Sequence, residues 1–138
     1  MSAMTNYLEG ALIDHLFRAT AFSQTGTWYT ALLTAAHGEE GTGGTEVSGG
    51  SYARIAVTRG TGTWTKTLST NVYTVHNTST ITFATPSADW GVVTHVGLFD
   101  ALTSGNLVLE AALQFAKTIN NGDPAPKFNA GELKFTFD

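Results

Sequence analysis

The chain has no cysteine and few charged residues, and both absences narrow the classes of protein to which it can belong. Without cysteine it has no disulfide scaffold, no thiol catalysis and no metal site built on thiolates. Only 7 of the 138 residues are lysine or arginine, and they are scattered from Arg18 to Lys134. A nucleic-acid-binding protein needs a basic stripe, so this scatter and the net charge of −4 argue against that function.

Long apolar runs and a cationic leader are also missing. No uncharged apolar stretch approaches the roughly 20 residues that a membrane-spanning helix needs. The amino-terminal segment carries Glu9 and Asp14 within its apolar region, which is atypical of a signal peptide. We therefore expect a protein that is made in the cytoplasm and binds neither a membrane nor a nucleic acid.

Threonine and glycine are abundant, with 23 and 15 residues, and they favour short strands joined by many turns. We predict one domain over residues 1–138, an all-β, jelly-roll-like two-sheet β-sandwich of roughly eight strands. A Gly-rich loop is expected over about 35–51. Leu107–Ala116 also fits a helix, but the turn before it favours a hairpin. The predicted strands are Thr27–Thr34, Tyr52–Thr58, Gly62–Ser69, Asn71–Val75, Ser79–Ala84, one within Ala88–Ala101, Leu107–Ala116 and one within 131–138.

One helical pattern precedes these strands, over about residues 5–19. Its apolar stripe, at spacings of three and four, is expected to pack on a sheet. Asn6 is predicted to cap the helix, with Glu9 three positions later as in a capping box. The members of the predicted stripe are Leu8, Ala11, Leu12, His15, Leu16 and Ala19.

The stretch "ADWGVVTHVGLFDA" raises the question of an Asp–His catalytic site, because His95 lies between Asp89 and Asp100. Residues at alternate positions of a strand point to opposite faces, so Asp100 points away from His95, and Asp89 lies beyond the Gly91 corner. We predict a buried interior strand instead. Val92, Thr94, Val96 and Leu98 are expected on one face, and Val93, His95, Gly97 and Phe99 on the other.

No other pattern indicates an enzyme, a cofactor or a metal site. The segment His37–Glu40 offers an imidazole and two carboxylates, but on a Gly-rich loop it is more typical of a solvated tip. The glycine runs lead into strands rather than into a helix, which excludes a phosphate cradle. Trp28, Tyr29 and Trp64 are candidates for stacking on sugars, although such aromatics more often pack in a core.

Several segments in series resemble a family of small virion proteins of tailed phages, whose members are often called tail-fibre proteins. Within that family the chain is most similar to capsid cement, or head-decoration, proteins of short-tailed phages, a Bordetella phage among them. The stretch Gly62–Ile81 departs most from the family pattern. The segments that carry the resemblance are "MTNYLEGALIDHLFRAT", "GGTEVSGGSYARIAVT", "ADWGVVTHVGLFDA", "SGNLVLEAAL", "KTINNGD" and "FNAGELKFTFD".

The resemblance implies a non-enzymatic jelly roll without cofactors that binds the outer surface of an HK97-like capsid and stabilises the head. It implies the major capsid protein and a second copy of the chain, as a homodimer, as partners. A tail-fibre or baseplate component and a carbohydrate-binding β-sandwich are the alternatives. The candidate interface residues lie on the helix, in the Gly-rich loop and in the divergent stretch: Asn6, Glu9, His15, Arg18, His37, Glu39, Glu40, Glu46, Trp64 and Lys66.

Overall fold

The computed structural model of the protein describes residues 4–137, which form antiparallel strands and one helix near the amino terminus. The threonine-rich and β-branched segments form the strands, and glycines with positive φ occupy many of the turns between them. The elements are α1 (Asn6–Phe17), β1 (Thr27–Ala35), β2 (Thr45–Glu46), β3 (Ile55–Thr58), β4 (Trp64–Ser69), β5 (Val72–Asn77), β6 (Ile81–Thr82), β7 (Gly91–Phe99), β8 (Leu107–Ile119), β9 (Lys127–Phe128) and β10 (Lys134–Phe137).

The strands form a five-stranded, a three-stranded and a two-stranded sheet. The five-stranded sheet has the order β2-β1-β7-β8, and β3 pairs with the first half of β1 on the edge that β2 also uses. The smaller sheets have the orders β10-β5-β4 and β6-β9. The prediction of an all-β sandwich with a short amino-terminal helix is confirmed.

Two apolar clusters stabilise the fold. The larger one joins the sheets to each other and includes Leu32, Phe83, Val96 and Phe135. The smaller one covers the other face of the five-stranded sheet and consists of Ala31, Leu33, Phe99 and Leu107, with Tyr29 at its margin. β1 is therefore buried on both faces, as expected of a strand inside a sandwich.

The interior-strand prediction for β7 is confirmed, because it lies between β1 and β8 and its residues from Val96 to Phe99 are all buried. The predicted alternation of faces is wrong at its start. Val93 packs in the same cluster as Val96, while Val92 is 48% exposed. The pairing with β8 is irregular between Val93 and His95, and such a break ends the strict alternation of side chains.

β8 is a strand, as the turn before it indicates, and it continues to Ile119, beyond the predicted end at Ala116. Val93 pairs with Lys117 and His95 with Ala112, so the single residue 94 of β7 lies opposite residues 113–116 of β8. In this bulge Gln114, Phe115 and Ala116 are exposed, whereas Leu113 still packs against the larger core.

The helix α1 is shorter than predicted, and its cap is different. Thr5 is the N-cap residue, and its hydroxyl donates to the Leu107 carbonyl at 2.6 Å instead of capping the helix. The predicted stripe is only partly buried, since Leu8 is the one buried residue of α1 and Leu16 is 69% exposed. The tertiary anchor is β8, and beyond Leu12, which still packs against the larger core, most of the helix is exposed.

Other predicted boundaries also shift. The Gly-rich loop contains β2, which pairs with the end of β1, and β9 was not predicted. The strand predicted from Tyr52 begins at Ile55, and the one predicted over Ser79–Ala84 shrinks to β6. These strands are short because few backbone groups pair there. Asp138, in the predicted final strand, lies outside the described residues.

Candidate functional site

The start of α1 and the Gly-rich loop meet, and this contact joins three of the predicted interface residues. The Asn6 backbone N–H donates to the Glu39 carbonyl at 2.8 Å, and its side-chain amide donates to the Glu40 carboxylate at 3.3 Å. Both acids are exposed. The loop and the helix therefore present one continuous polar surface.

The rest of α1 is more apolar on its outside than the sequence pattern predicts. Leu16 and Phe17 lie three and four residues after Ile13, and Ile13, Leu16 and Phe17 are 54%, 69% and 80% exposed. The predicted residues Glu9, His15 and Arg18 are exposed too. His15 accepts a hydrogen bond from the Phe22 backbone N–H through Nδ1, while Arg18 forms a 3.3 Å ion pair with Asp14.

His37 does not lie on a free loop tip, because it is held against β8. Glu110 accepts hydrogen bonds from the backbone N–H groups of His37 and Gly38, at 2.7 and 3.1 Å. The His37 ring lies edge-on to Phe99, with 6.1 Å between the ring centroids. His37 and the acids that follow it therefore do not gather around a common point, and no group of metal-ligating side chains is present within residues 4–137.

Glu46 is partly buried, and its carboxylate is engaged by neighbouring side chains rather than free at the surface. Its carboxylate accepts two hydrogen bonds from Arg54, at 2.9 Å from Nε and 2.7 Å from Nη2. It also accepts a hydrogen bond from the Tyr52 hydroxyl at 2.8 Å, and the hydroxyl oxygen accepts one from the Leu32 backbone N–H. Burial raises the pKa of Tyr52 above its ordinary range, so the hydroxyl keeps its proton and donates.

Arg54, which the sequence did not single out, ties this cluster to the β7–β8 turn. Its Nη1 donates to the carbonyls of Ala101 and Ser104 at 2.7 and 2.8 Å, and its guanidinium lies 3.6 Å from the centre of the Phe99 ring. With only 8% of the residue exposed, the charge depends on these partners for its stability. The cluster is a structural clamp.

Trp64 and Lys66 lie on the β4 edge of the three-stranded sheet. Trp64 packs at the margin of the larger core, while Lys66 is exposed with its ammonium 5.5 Å from the Tyr73 ring. Leu68 pairs with Tyr73 across the hairpin, and the two are 57% and 45% exposed. Of these, Lys66, Leu68 and Tyr73 are available at the surface.

The aromatics proposed to stack on sugars are not free. Trp28 and Trp64 pack against the larger core and Tyr29 against the smaller one. His95 is hydrogen-bonded through Nδ1 to the Thr94 hydroxyl at 2.8 Å. Asp89 and Asp100 each accept a backbone N–H in a turn, so neither carboxylate serves His95.

A groove of about 550 Å³ runs between β8 and β10, in a region that the sequence did not predict as a site. The exposed Phe115 of the β8 bulge lies on it, 78% exposed. Its other lining residues include three lysines and one glutamate: Lys117, Lys127, Lys134 and Glu132. The lysines are far apart in the sequence, and only the packing of the sheets gathers them.

A family model described as "Podophage GP4 fiber I protein gp80" matches residues 3–136. The chain belongs to this family. It is therefore a structural protein of the phage virion, as the sequence resemblance implied at this level. None of the curated proteins compared with the chain matches it.

Three surfaces of the chain that carry exposed apolar side chains are candidates for contact with another protein. They are the helix stripe of Ile13, Leu16 and Phe17, the tip of the β4–β5 hairpin, and the β8–β10 groove. Within residues 4–137 no helix is long and apolar enough to cross a membrane. The groove differs from the other two surfaces in gathering three lysines beside its apolar side chains, whereas the β4–β5 hairpin carries one, Lys66.

Proposed function

We propose that the chain is a non-enzymatic component of the phage tail, in a fibre or the baseplate, that acts by binding neighbouring virion proteins. The observation that carries this proposal is the family match over residues 3–136, whose description names a fibre protein. A binding role also suits the surface, where exposed apolar side chains lie beside charged ones on the groove.

The non-enzymatic part of the proposal is supported by how the polar residues are used. Glu46 and Arg54 satisfy each other, and Glu110 holds the backbone of the Gly-rich loop. His95 bonds to the neighbouring threonine, with no carboxylate to orient it. A histidine that acts as a general base is commonly oriented by a carboxylate, and His95 is held by the Thr94 hydroxyl instead.

A second candidate is a cement protein on the outer capsid surface, and the shape of the chain favours it. A tail fibre usually consists of elongated repeats, whereas residues 4–137 form short-stranded sheets around shared cores. The resemblance to head-decoration proteins points the same way. In this candidate function the partners are the major capsid protein and a second copy of the chain, and many weak contacts repeated over a lattice supply avidity.

Co-sedimentation distinguishes the two candidates. Purified chain is mixed separately with phage heads and with tails from particles that lack it, and the bound fraction is measured after pelleting. The tail proposal expects binding to tails, and the cement candidate expects binding to heads. Binding to neither particle over a wide concentration range would contradict both.

A further inference from the structure

The β8–β10 groove concentrates positive charge in an acidic protein. The chain has a net charge of −4 and contains four lysines. Three of these lysines line this one groove: Lys117, Lys127 and Lys134. Glu132 is the one acidic residue that lines it. Its carboxylate accepts the Asn129 backbone N–H, and this hydrogen bond lowers the pKa of Glu132. The lysines outnumber the acid, so the groove is suited to a negatively charged occupant.

Both strands beside the groove are the last strands of their sheets. β8 ends the five-stranded sheet, and the outer side of its start is occupied by the Met4–Leu109 bridge and by Thr5, whose N–H donates to the Val108 carbonyl at 3.1 Å; further along, no described strand pairs with that side. β10 ends the three-stranded sheet and pairs with β5 alone. The outer edge of a strand presents backbone N–H and C=O groups to which an extended segment of another chain can add.

The groove also offers apolar contacts, some from half-buried side chains and one from an exposed side chain. Leu113 and Phe128 are half-buried along it, and Phe115 projects from the bulge with 78% of its surface exposed. An extended segment places every second side chain on one face. The face that such a segment turns toward the groove can therefore carry apolar residues over Leu113, Phe115 and Phe128 and acidic residues opposite the lysines.

The same lysines disfavour pairing between two copies at this edge. If two β8 edges came together, Lys117 of each copy would approach a lysine-lined groove, and like charges across strands are destabilising. Lysines and bulges on edge strands are devices against self-pairing. An acidic segment meets no such repulsion, so the charges select the kind of partner.

We propose that the β8–β10 groove binds an extended acidic segment of another virion protein, which lies along β8 and hydrogen-bonds to its outer edge on either side of the bulge. Its carboxylates pair with Lys117, Lys127 and Lys134, and its apolar side chains pack on Phe115. This inference rests on the proposed function only in taking the partner to be a virion protein. The groove chemistry itself is testable without the virion.

The first test uses a synthetic peptide with the repeat Glu-Thr-Val-Thr, which places glutamate and valine on the same face of an extended chain, and a matched peptide with lysine in place of glutamate. The acidic peptide is expected to bind the full chain and to slow amide hydrogen exchange in residues 111–118. The lysine peptide is expected to do neither. Absence of binding or of amide protection with the acidic peptide overturns the proposal. An added arm uses polygalacturonate, and binding of that polyanion in place of the peptide would assign the groove to an anionic polysaccharide instead.

Charge reversal identifies the groove as the site. In the triple variant Lys117→Glu, Lys127→Glu, Lys134→Glu, we expect about tenfold weaker peptide binding, because three weak surface ion pairs are lost together. Two single variants form a matched pair: Lys134→Glu changes the groove, and Lys66→Glu is the control outside it. Both lysines are exposed, and they lie on opposite edges of the same sheet. Only Lys134→Glu is expected to weaken binding. Equal effects of the two would overturn the assignment.

The same variants in the particle experiment separate this inference from the proposed function. If the native chain binds tails or heads and the triple variant, folded by circular dichroism, binds equally well, the groove inference fails and the proposed function stands. If the acidic peptide binds in the groove but neither particle does, the proposed function fails and the groove chemistry stands. If the native chain binds a particle and the triple variant does not, the result supports both the proposed function and the groove inference.

Discussion

We expect Asn77→Ala to destabilise the protein more than the loss of any other asparagine or glutamine side chain. Asn77 is the last residue of β5 and is only 1% exposed. Its side-chain nitrogen donates to the carbonyls of Ser79 and Asn129 at 2.8 and 3.0 Å. Its side-chain oxygen accepts the Leu133 backbone N–H at 3.0 Å. One amide therefore joins β5 to the segments before β6, after β9 and before β10.

The magnitude follows from these three hydrogen bonds. Each contributes about 1 kcal/mol, and a buried partner left unsatisfied costs about 1–3 kcal/mol, so we expect Asn77→Ala to lower the free energy of unfolding by about 3–4 kcal/mol. That is a large share of the roughly 5–15 kcal/mol typical of a domain. It corresponds to a fall of about 10 °C or more in Tm for a chain of this size.

The assay is urea unfolding followed by tryptophan fluorescence and circular dichroism. Asn106→Ala is the control, because it removes an exposed amide that makes one hydrogen bond, to Asp100 at 2.9 Å. We expect the control to change stability by less than about 1 kcal/mol. If Asn77→Ala lost no more than Asn106→Ala, Asn77 would not be the polar junction that its contacts indicate.

Two further predictions concern packing and pH. A Cβ on Gly97 would lie 2.8 Å from Leu107 Cδ1, so Gly97→Ala should destabilise by about 1–3 kcal/mol in thermal unfolding, whereas Gly26→Ala, with open space, should not. An equal effect of both would refute the close packing. Burial raises the pKa of Tyr52 in the folded state above its value in the unfolded chain. The contribution of the protonated hydroxyl to folding stability is therefore complete below about pH 10 and is lost as the pH rises. Unfolding free energy of the native chain should therefore fall with pH by up to about 1.4 kcal/mol per unit more steeply than that of Tyr52→Phe; parallel slopes would contradict this.

The candidate site was predictable only in part, because exposure was inferred from loops and polar residues. Asn6, Glu39 and Glu40 are at the surface and in contact, as their positions in the helix and the loop suggest. Glu46 and His37 were predicted at the surface but engage Arg54 and the β8 region. Their partners are far away in sequence, so no local pattern reveals the pairing.

The sequence by itself determined the elements whose signals are local. Threonine and β-branched residues with period two gave the strands, and the turn before Leu107 decided that β8 is not a helix. The Trp90–Gly91 corner begins β7 as predicted, with Gly91 at φ +86°, a conformation that glycine adopts at little cost. The segments in series also indicated a phage virion protein.

Which polar groups are buried and which apolar groups are exposed depends on the tertiary structure. The Asn77 junction, the Arg54 clamp and the β8–β10 groove each combine residues from distant parts of the chain. The bulge that exposes Phe115 depends on the pairing of β8 with β7. Register and burial are set by contacts between strands, and a single strand's composition does not specify its neighbour.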